Sequence, residues 1–229
     1  MRTKREELLP WIQDYLQPRY PELVELLLGA ADAFDRAKLG GNLDPEDLQI
    51  LADAASSART PLGESAALML GQLARDSALA RDAIIRMSKG RKVHIRVNAL
   101  VALQSFDPCD LHKTVARLAL HDPSARLREL AADLVRRWRM SDLLPELEAS
   151  IQRERNDDLR KTLEAQRDLL RDGYKIEHRG NDVIWVTFQT PGGGLTSTHV
   201  SGEEWRAKGL AAIAGRLGIQ LERTQQDAS

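Results

Sequence analysis

Ile95-Arg96-Val97-Asn98-Ala99-Leu100-Val101-Ala102-Leu103 is the stretch from which the fold of this chain can be read. Its skeleton, an aliphatic residue followed by Ala at the fifth position and Leu or Val at the ninth, occurs three times. Leu62-Gly63-x-x-Ala66-Ala67-x-x-Leu70 precedes it by 33 residues, and Leu127-Arg128-x-x-Ala131-Ala132-x-x-Val135 follows it by 32. A period of this length marks stacked two-element repeats. A fourth, eroded copy begins at Leu159-Arg160-x-x-Leu163, where Glu164 and Arg167 stand at apolar positions. Erosion suits a terminal repeat, whose outer face meets something other than a copy of itself.

Each copy predicts a helix with one buried face. In the third, Leu127, Leu130, Ala131, Leu134, Val135 and Trp138 form a stripe at the 3.6-residue period. The second is apolar around most of its circumference, which predicts an enclosed, central helix. Amphipathic segments at 45–56, 77–88, 110–120 and 142–153 supply a partner for each repeat helix. Asp44-Pro45, Thr60-Pro61 and Asp122-Pro123 each set a capping oxygen before a proline, so all three predict helix starts.

With an acidic residue six positions ahead of the Arg in Asp122/Arg128 and Glu154/Arg160, the aliphatic-Arg-x-x-Ala skeleton resembles the HEAT-repeat family. Gly90 before Arg96 and Ser57 before Gly63 depart from that pattern. The resemblance covers roughly residues 44–170 and extends toward the N-terminus through 21–38. It implies a mainly α chain, a right-handed, armadillo-like α-solenoid of HEAT-like helix pairs. In such a stack the second helices line a concave, partner-binding face, and Arg128 and Arg160 bridge neighbouring repeats.

After Leu169-Leu170-Arg171-Asp172-Gly173 the apolar period changes from 3.6 to 2. Strands are predicted at 174–178, 183–190 and 195–200, with turns at 179–182 and Pro191-Gly192-Gly193-Gly194. Ser201-Gly202-Glu203-Glu204 reads as a capping box opening a helix that Gly218 ends. The expected organisation is a helical repeat domain over 1–172, a small antiparallel α+β module over 173–221 and a frayed tail over 222–229.

Composition agrees with this division. Of 229 residues, 42% are apolar, 29% charged and only 4% aromatic, a balance that favours helices packed through Leu and Ala. No apolar run is long enough for a membrane span and the opening residues lack a signal-peptide core. Cys109 is the single cysteine, which excludes an internal disulfide and a thiolate metal cage. A cytoplasmic chain without cofactor or metal is expected. The net charge of −1 conceals asymmetry: residues 81–139 hold 13 Lys/Arg against 6 Asp/Glu, while 1–80 hold 8 against 13.

That basic segment carries the functional expectation. Arg86, Lys89, Arg91, Lys92 and His94 gather before the second repeat helix, and Arg126, Arg136, Arg137 and Arg139 flank the third. On a concave face these groups would receive the acidic or mixed surface of a protein partner. The chain then reads as a non-catalytic interaction module of adaptor, assembly-factor or toxin-neutralising type. The alternative is a nucleic-acid binder, in its extreme form a relative of the HEAT-like DNA glycosylases, with Trp138 and Asp133 as the suggestive pair. A third option, a lyase or isomerase on a small ligand held in the groove, rests on less. Cys109 and His112 are too close in sequence to resemble an assembled nucleophile pair, and the glycine loop lacks the strand-to-helix setting of a phosphate cradle. The scattered histidines show no metal-ligand spacing.

Overall fold

The computed structural model describes residues 2–180 and 182–219, so the tail predicted at 222–229 lies outside the described residues. The chain is mainly helical, with one three-stranded antiparallel sheet. It divides into two compact units, one ending at Leu127 and the other beginning at Arg128.

In the first unit the helices are α1 (Lys4–Trp11), α2 (Gln17–Arg19), α3 (Val24–Gly40), α4 (Pro45–Ala55), α5 (Thr60–Ala74), α6 (Ala78–Ser88), α7 (Val93–Ala102) and α8 (Asp110–Leu120). A π turn at Ile12–Leu16 joins α1 to α2, two residues past Pro10. Helix α5 packs against both α3 and α7, and α6 against both α4 and α8. Two rows result, α3, α5, α7 and α4, α6, α8. Within each row the neighbours in space are alternate helices in sequence, which is how a two-helix repeat buries its apolar faces.

The quoted skeleton is what these rows bury. Leu62, Ala66, Ala67 and Leu70 of α5 and Ala99, Leu100 and Leu103 of the second copy are all inaccessible, while Ile95 is half-buried. Alanine and glycine at these positions let backbones approach closely. At Gly71 a Cβ would overlap the carbonyl oxygen of Ala102, so α5 runs directly against the end of α7. Polar atoms within this contact are satisfied: buried Asn98 donates to the carbonyl of Ala55 at 2.8 Å, taking up an orphan acceptor at the end of α4.

In the second unit, which takes in most of α9 (Ala125–Arg137), follow α10 (Leu144–Arg153), α11 (Asp157–Asp172), β1 (Tyr174–Arg179), β2 (Val183–Gln189), β3 (Leu195–Ser201) and α12 (Gly202–Arg216). Leu127, Ala131, Ala132 and Val135 are buried, as the skeleton requires, and Trp138 is half-buried. Ile184, Val186, Phe188 and Val200 turn one face of the sheet toward Ile213 and Ala214 of α12. That burial makes a three-stranded sheet viable. The β2–β3 connection is a tight turn in which Gly193 N–H donates to Thr190 O, with Gly193 left-handed at φ 77°.

Three local expectations need correction. Thr60 is the first helical residue of α5 and Arg59 the residue before it, so the Thr60 hydroxyl is not the cap. Asp122 does not open α9, which starts at Ala125; its carboxylate instead accepts from Ser124 N–H and from Arg96. The helix expected as one piece after Ser201 is broken at Gly209, whose φ of 65° and ψ of 179° interrupt α12. Ser201 does accept from Glu204 N–H, but the Glu204 carboxylate turns to Lys208 and Arg216 and leaves the capping box half formed.

Candidate functional site

Arginine separates here into two populations, and the separation defines the site. The first is structural. Arg96 of α7 clasps Asp122 with two parallel bonds, Nε to Oδ2 at 2.6 Å and Nη2 to Oδ1 at 3.0 Å, and its Nη1 donates to the carbonyls of Gly90 and Arg91. Thirty-two residues on, Arg128 of α9 clasps Glu154, with Nε to Oε2 at 3.0 Å and a second bond from Nη2. In each pair the acid lies 26 residues beyond its arginine and also accepts a backbone N–H two residues further on, from Ser124 and from Asn156. Both carboxylates are buried. The Asn156 N–H and the Arg128 guanidinium hold Glu154 below the usual carboxylate range, so it is charged near neutral pH. The eroded fourth copy breaks the series: Arg160 pairs with exposed Asp157, three residues away on its own helix.

Several predicted site residues belong to this structural population. Arg136 is buried, with a side chain only 4% exposed. Its Nε donates to Gln166 at 2.6 Å, its Nη1 to Gly193 O at 2.9 Å and its Nη2 to Asp133 at 2.6 Å, while the Gln189 amide donates to the Arg136 carbonyl at 2.6 Å. It fastens α9 to α11 and to the glycine turn. Arg137 is exposed and pairs with the other oxygen of Asp133 at 2.8 Å. Arg139 is exposed and sits left-handed at φ 51°, closing α9 where Met140 N–H reaches back to Val135 O; its guanidinium makes a long 3.5 Å contact with Thr190 O. His94 is half-buried and lies 3.2 Å from Ser56 O, beside the Asn98 bond, at the end of α4. The glycine turn fastens structure too, since a Cβ on Gly193 would overlap the Arg137 carbonyl.

The second population is exposed. Arg86, at the end of α6, and Lys89, Arg91 and Lys92, in the turn to α7, all face solvent, and among the described residues their side chains take no ion-pair or hydrogen-bond partner. Arg126, at the start of α9, is likewise exposed. No aspartate or glutamate occurs between Asp82 and Asp107, so the positive field of the α6–α7 turn has no acid in its own segment to cancel it. Val93 beside it is 43% exposed, adding an apolar contact at the rim of the charge. Sequence alone could not separate Arg136 from this group, because Gln166 and Gly193 reach it only through the fold.

Cys109 and His112 do meet. The imidazole Nδ1 accepts the Cys109 backbone N–H at 3.1 Å and lies 3.4 Å from the thiol, while Nε2 lies 2.9 Å from Leu103 O. Burial lowers the His112 pKa, so the ring is neutral at pH 7, with Nε2 the protonated nitrogen. With Phe106 edge-on at 4.5 Å, the histidine closes the N-terminus of α8 as a cap. The exposed thiol borders a cleft of about 480 Å³ shared with Arg75, Arg81 and Asp107. Arg81 is committed to the carbonyls of Ala74 and Arg75. Among the described residues no group of side chains has metal-ligand geometry, and no helix is long and apolar enough to cross a membrane. Comparison of the chain with protein-family models, curated proteins and solved structures gives no match.

Proposed function

We propose that this chain is a non-catalytic protein-interaction module, a HEAT-like right-handed α-solenoid in which the basic turn between α6 and α7 receives an acidic surface of a protein partner. The observation that carries the reading is the contrast between arginines. Those at repeat-equivalent positions, Arg96 and Arg128, are consumed by buried carboxylates, whereas the exposed side chains of Arg86, Lys89, Arg91 and Lys92 have no partner among the described residues. Cations held in one short segment with no acid among them raise the rate and selectivity of docking by an acidic surface. The two rows of helices and the 32-residue recurrence of the Arg–carboxylate pair support the solenoid architecture.

The same acid-free segment, 83–106, favours a second reading in which the turn contacts nucleic-acid phosphates. Asp133, the carboxylate a glycosylase-like site would use beside Trp138, is instead bonded by both Arg136 and Arg137. The triple reversal Lys89→Glu, Arg91→Glu, Lys92→Glu distinguishes the two. Proteins captured from the native host are identified and titrated against wild type and variant. The proposal expects at least about a tenfold loss of affinity, roughly 1.4 kcal/mol, with unfolding stability changed by under about 0.5 kcal/mol. A partner held equally well by the reversed chain contradicts it. Duplex DNA retarded at low salt by wild type only, with affinity falling steeply as salt rises, would move the function to nucleic acid.

A further inference from the structure

Strand β3 is the outer strand of the sheet, and its sequence, Leu195-Thr196-Ser197-Thr198-His199-Val200-Ser201, contains no Lys, Arg, Asp, Glu or Pro. Natural sheets blunt such edges with charge, proline or a bulge, because a bare edge is a template for another strand. The opposite edge is protected in this way: β1 carries Lys175, Glu177 and Arg179, linked to one another as ion pairs, and packs against α11. Among the described residues β3 carries no such ion pairs along its edge.

The register shows which groups of β3 are offered. Gly202 N–H donates to Asp182 O at 2.8 Å, so the pair 182/202 is hydrogen-bonded. Bonded and non-bonded pairs alternate along an antiparallel ladder. Thr196, Thr198 and Val200, opposite Phe188, Val186 and Ile184, therefore bond inward to β2. Ser197 and His199 turn their backbone N–H and C=O groups outward, and among the described residues no backbone group from elsewhere in the chain meets them.

These outward groups match their own copy. If two β3 strands meet antiparallel about a two-fold axis through Thr198, Ser197 faces His199 of the second strand and His199 faces Ser197. Both are bonded pairs in the alternation required. Thr198 faces Thr198 in a close, non-bonded pair, and Thr196 faces Val200, so the non-bonded pairs are β-branched on both sides and no Lys, Arg, Asp or Glu opposes its own kind. A register displaced by one residue would set outward groups against inward ones. We propose that the occupant of this edge is a second copy of the chain, joined β3 to β3 into a continuous six-stranded antiparallel sheet. The inference is independent of the proposed docking turn, since it uses only residues of the second unit.

The full chain is tested in a Cys109→Ser background. With glutathione disulfide as oxidant, Thr198→Cys gives a disulfide-linked dimer, because a non-bonded antiparallel pair brings Cα atoms within disulfide reach. Thr196→Cys, which faces Val200 across the axis, gives none. In sedimentation the unmodified chain shows a concentration-dependent dimer, and Thr198→Lys, which sets two ammonium groups against each other, weakens it at least about tenfold. The inference is overturned if the unmodified chain sediments as a monomer at its highest soluble concentration. It is overturned equally if Thr198→Cys links no more readily than Thr196→Cys. An extended peptide captured on β3 of a monomeric chain would show that the edge takes a different occupant.

Discussion

Replacing Gly71 with alanine lowers the stability of the first unit by about 3 kcal/mol, the upper end of what an overpacked core contact costs. Intrinsic propensity predicts the reverse, since alanine favours a helix interior over glycine by about 1 kcal/mol. Contact decides the sign: the new methyl would overlap the backbone carbonyl of Ala102, which cannot rotate aside as a side chain could. Gly29, in the interior of α3, is the internal control. A Cβ there meets nothing within 4 Å, so Gly29→Ala should stabilise the chain by up to about 1 kcal/mol. Urea unfolding of the two single variants measures both. Equal effects of either sign would mean that α5 and α7 are not in backbone contact.

Arg136→Ala is expected to destabilise the second unit by about 3 kcal/mol, the cost of removing one partner from a buried, charge-assisted network. Three acceptors lose a donor at once: Gln166, Asp133 and the carbonyl of Gly193. Lysine recovers little, because one ammonium cannot span acceptors arranged around a planar guanidinium, and about 2 kcal/mol of the loss should remain in Arg136→Lys. Arg137→Ala removes only an exposed pair to the same Asp133 and should cost under about 0.5 kcal/mol. Denaturant midpoints for the three variants give the ranking. If Arg136→Ala proves as mild as Arg137→Ala, Arg136 is not the fastening point.

The helical part of this fold is written in the sequence because its packing rule is local. Apolar residues at the 3.6 period, prolines at helix starts and glycines at helix ends place α4 to α11 within a few residues, and the change to period 2 at Gly173 places the strands. The skeleton even marks the ladder, though indirectly. Asp122 stands six residues before Arg128 and pairs with Arg96, 26 residues back. What stayed hidden depends on residues far apart in the chain. Arg136, Arg137 and Arg139 look alike in sequence, yet of the three Arg136 is the one withdrawn from solvent, its guanidinium bonded to Gln166 and the Gly193 carbonyl. His94 lies within the basic cluster by sequence and at the end of α4 in space. The break at Gly209 reflects a backbone choice that a single glycine permits but does not require.

The candidate site shows the same division. Its exposed members, Arg86, Lys89, Arg91 and Lys92, were legible because a charge-rich turn between helices seldom buries anything. Distinguishing them from Arg96, four residues after Lys92, required Asp122, which only the fold brings near.

Double-mutant cycles on three Arg–carboxylate pairs test the repeat architecture most directly. Arg96/Asp122 and Arg128/Glu154 are covered, are each joined by two N–H···O bonds and lie 32 residues apart in the sequence, so each should couple by about 2 kcal/mol. Arg160/Asp157 belongs to the copy where the ladder ends and is exposed, so its coupling should fall below about 0.5 kcal/mol. Two equal, strong couplings beside one weak one are the result predicted for stacked, repeating helix pairs. A near-zero coupling at either covered pair would contradict it.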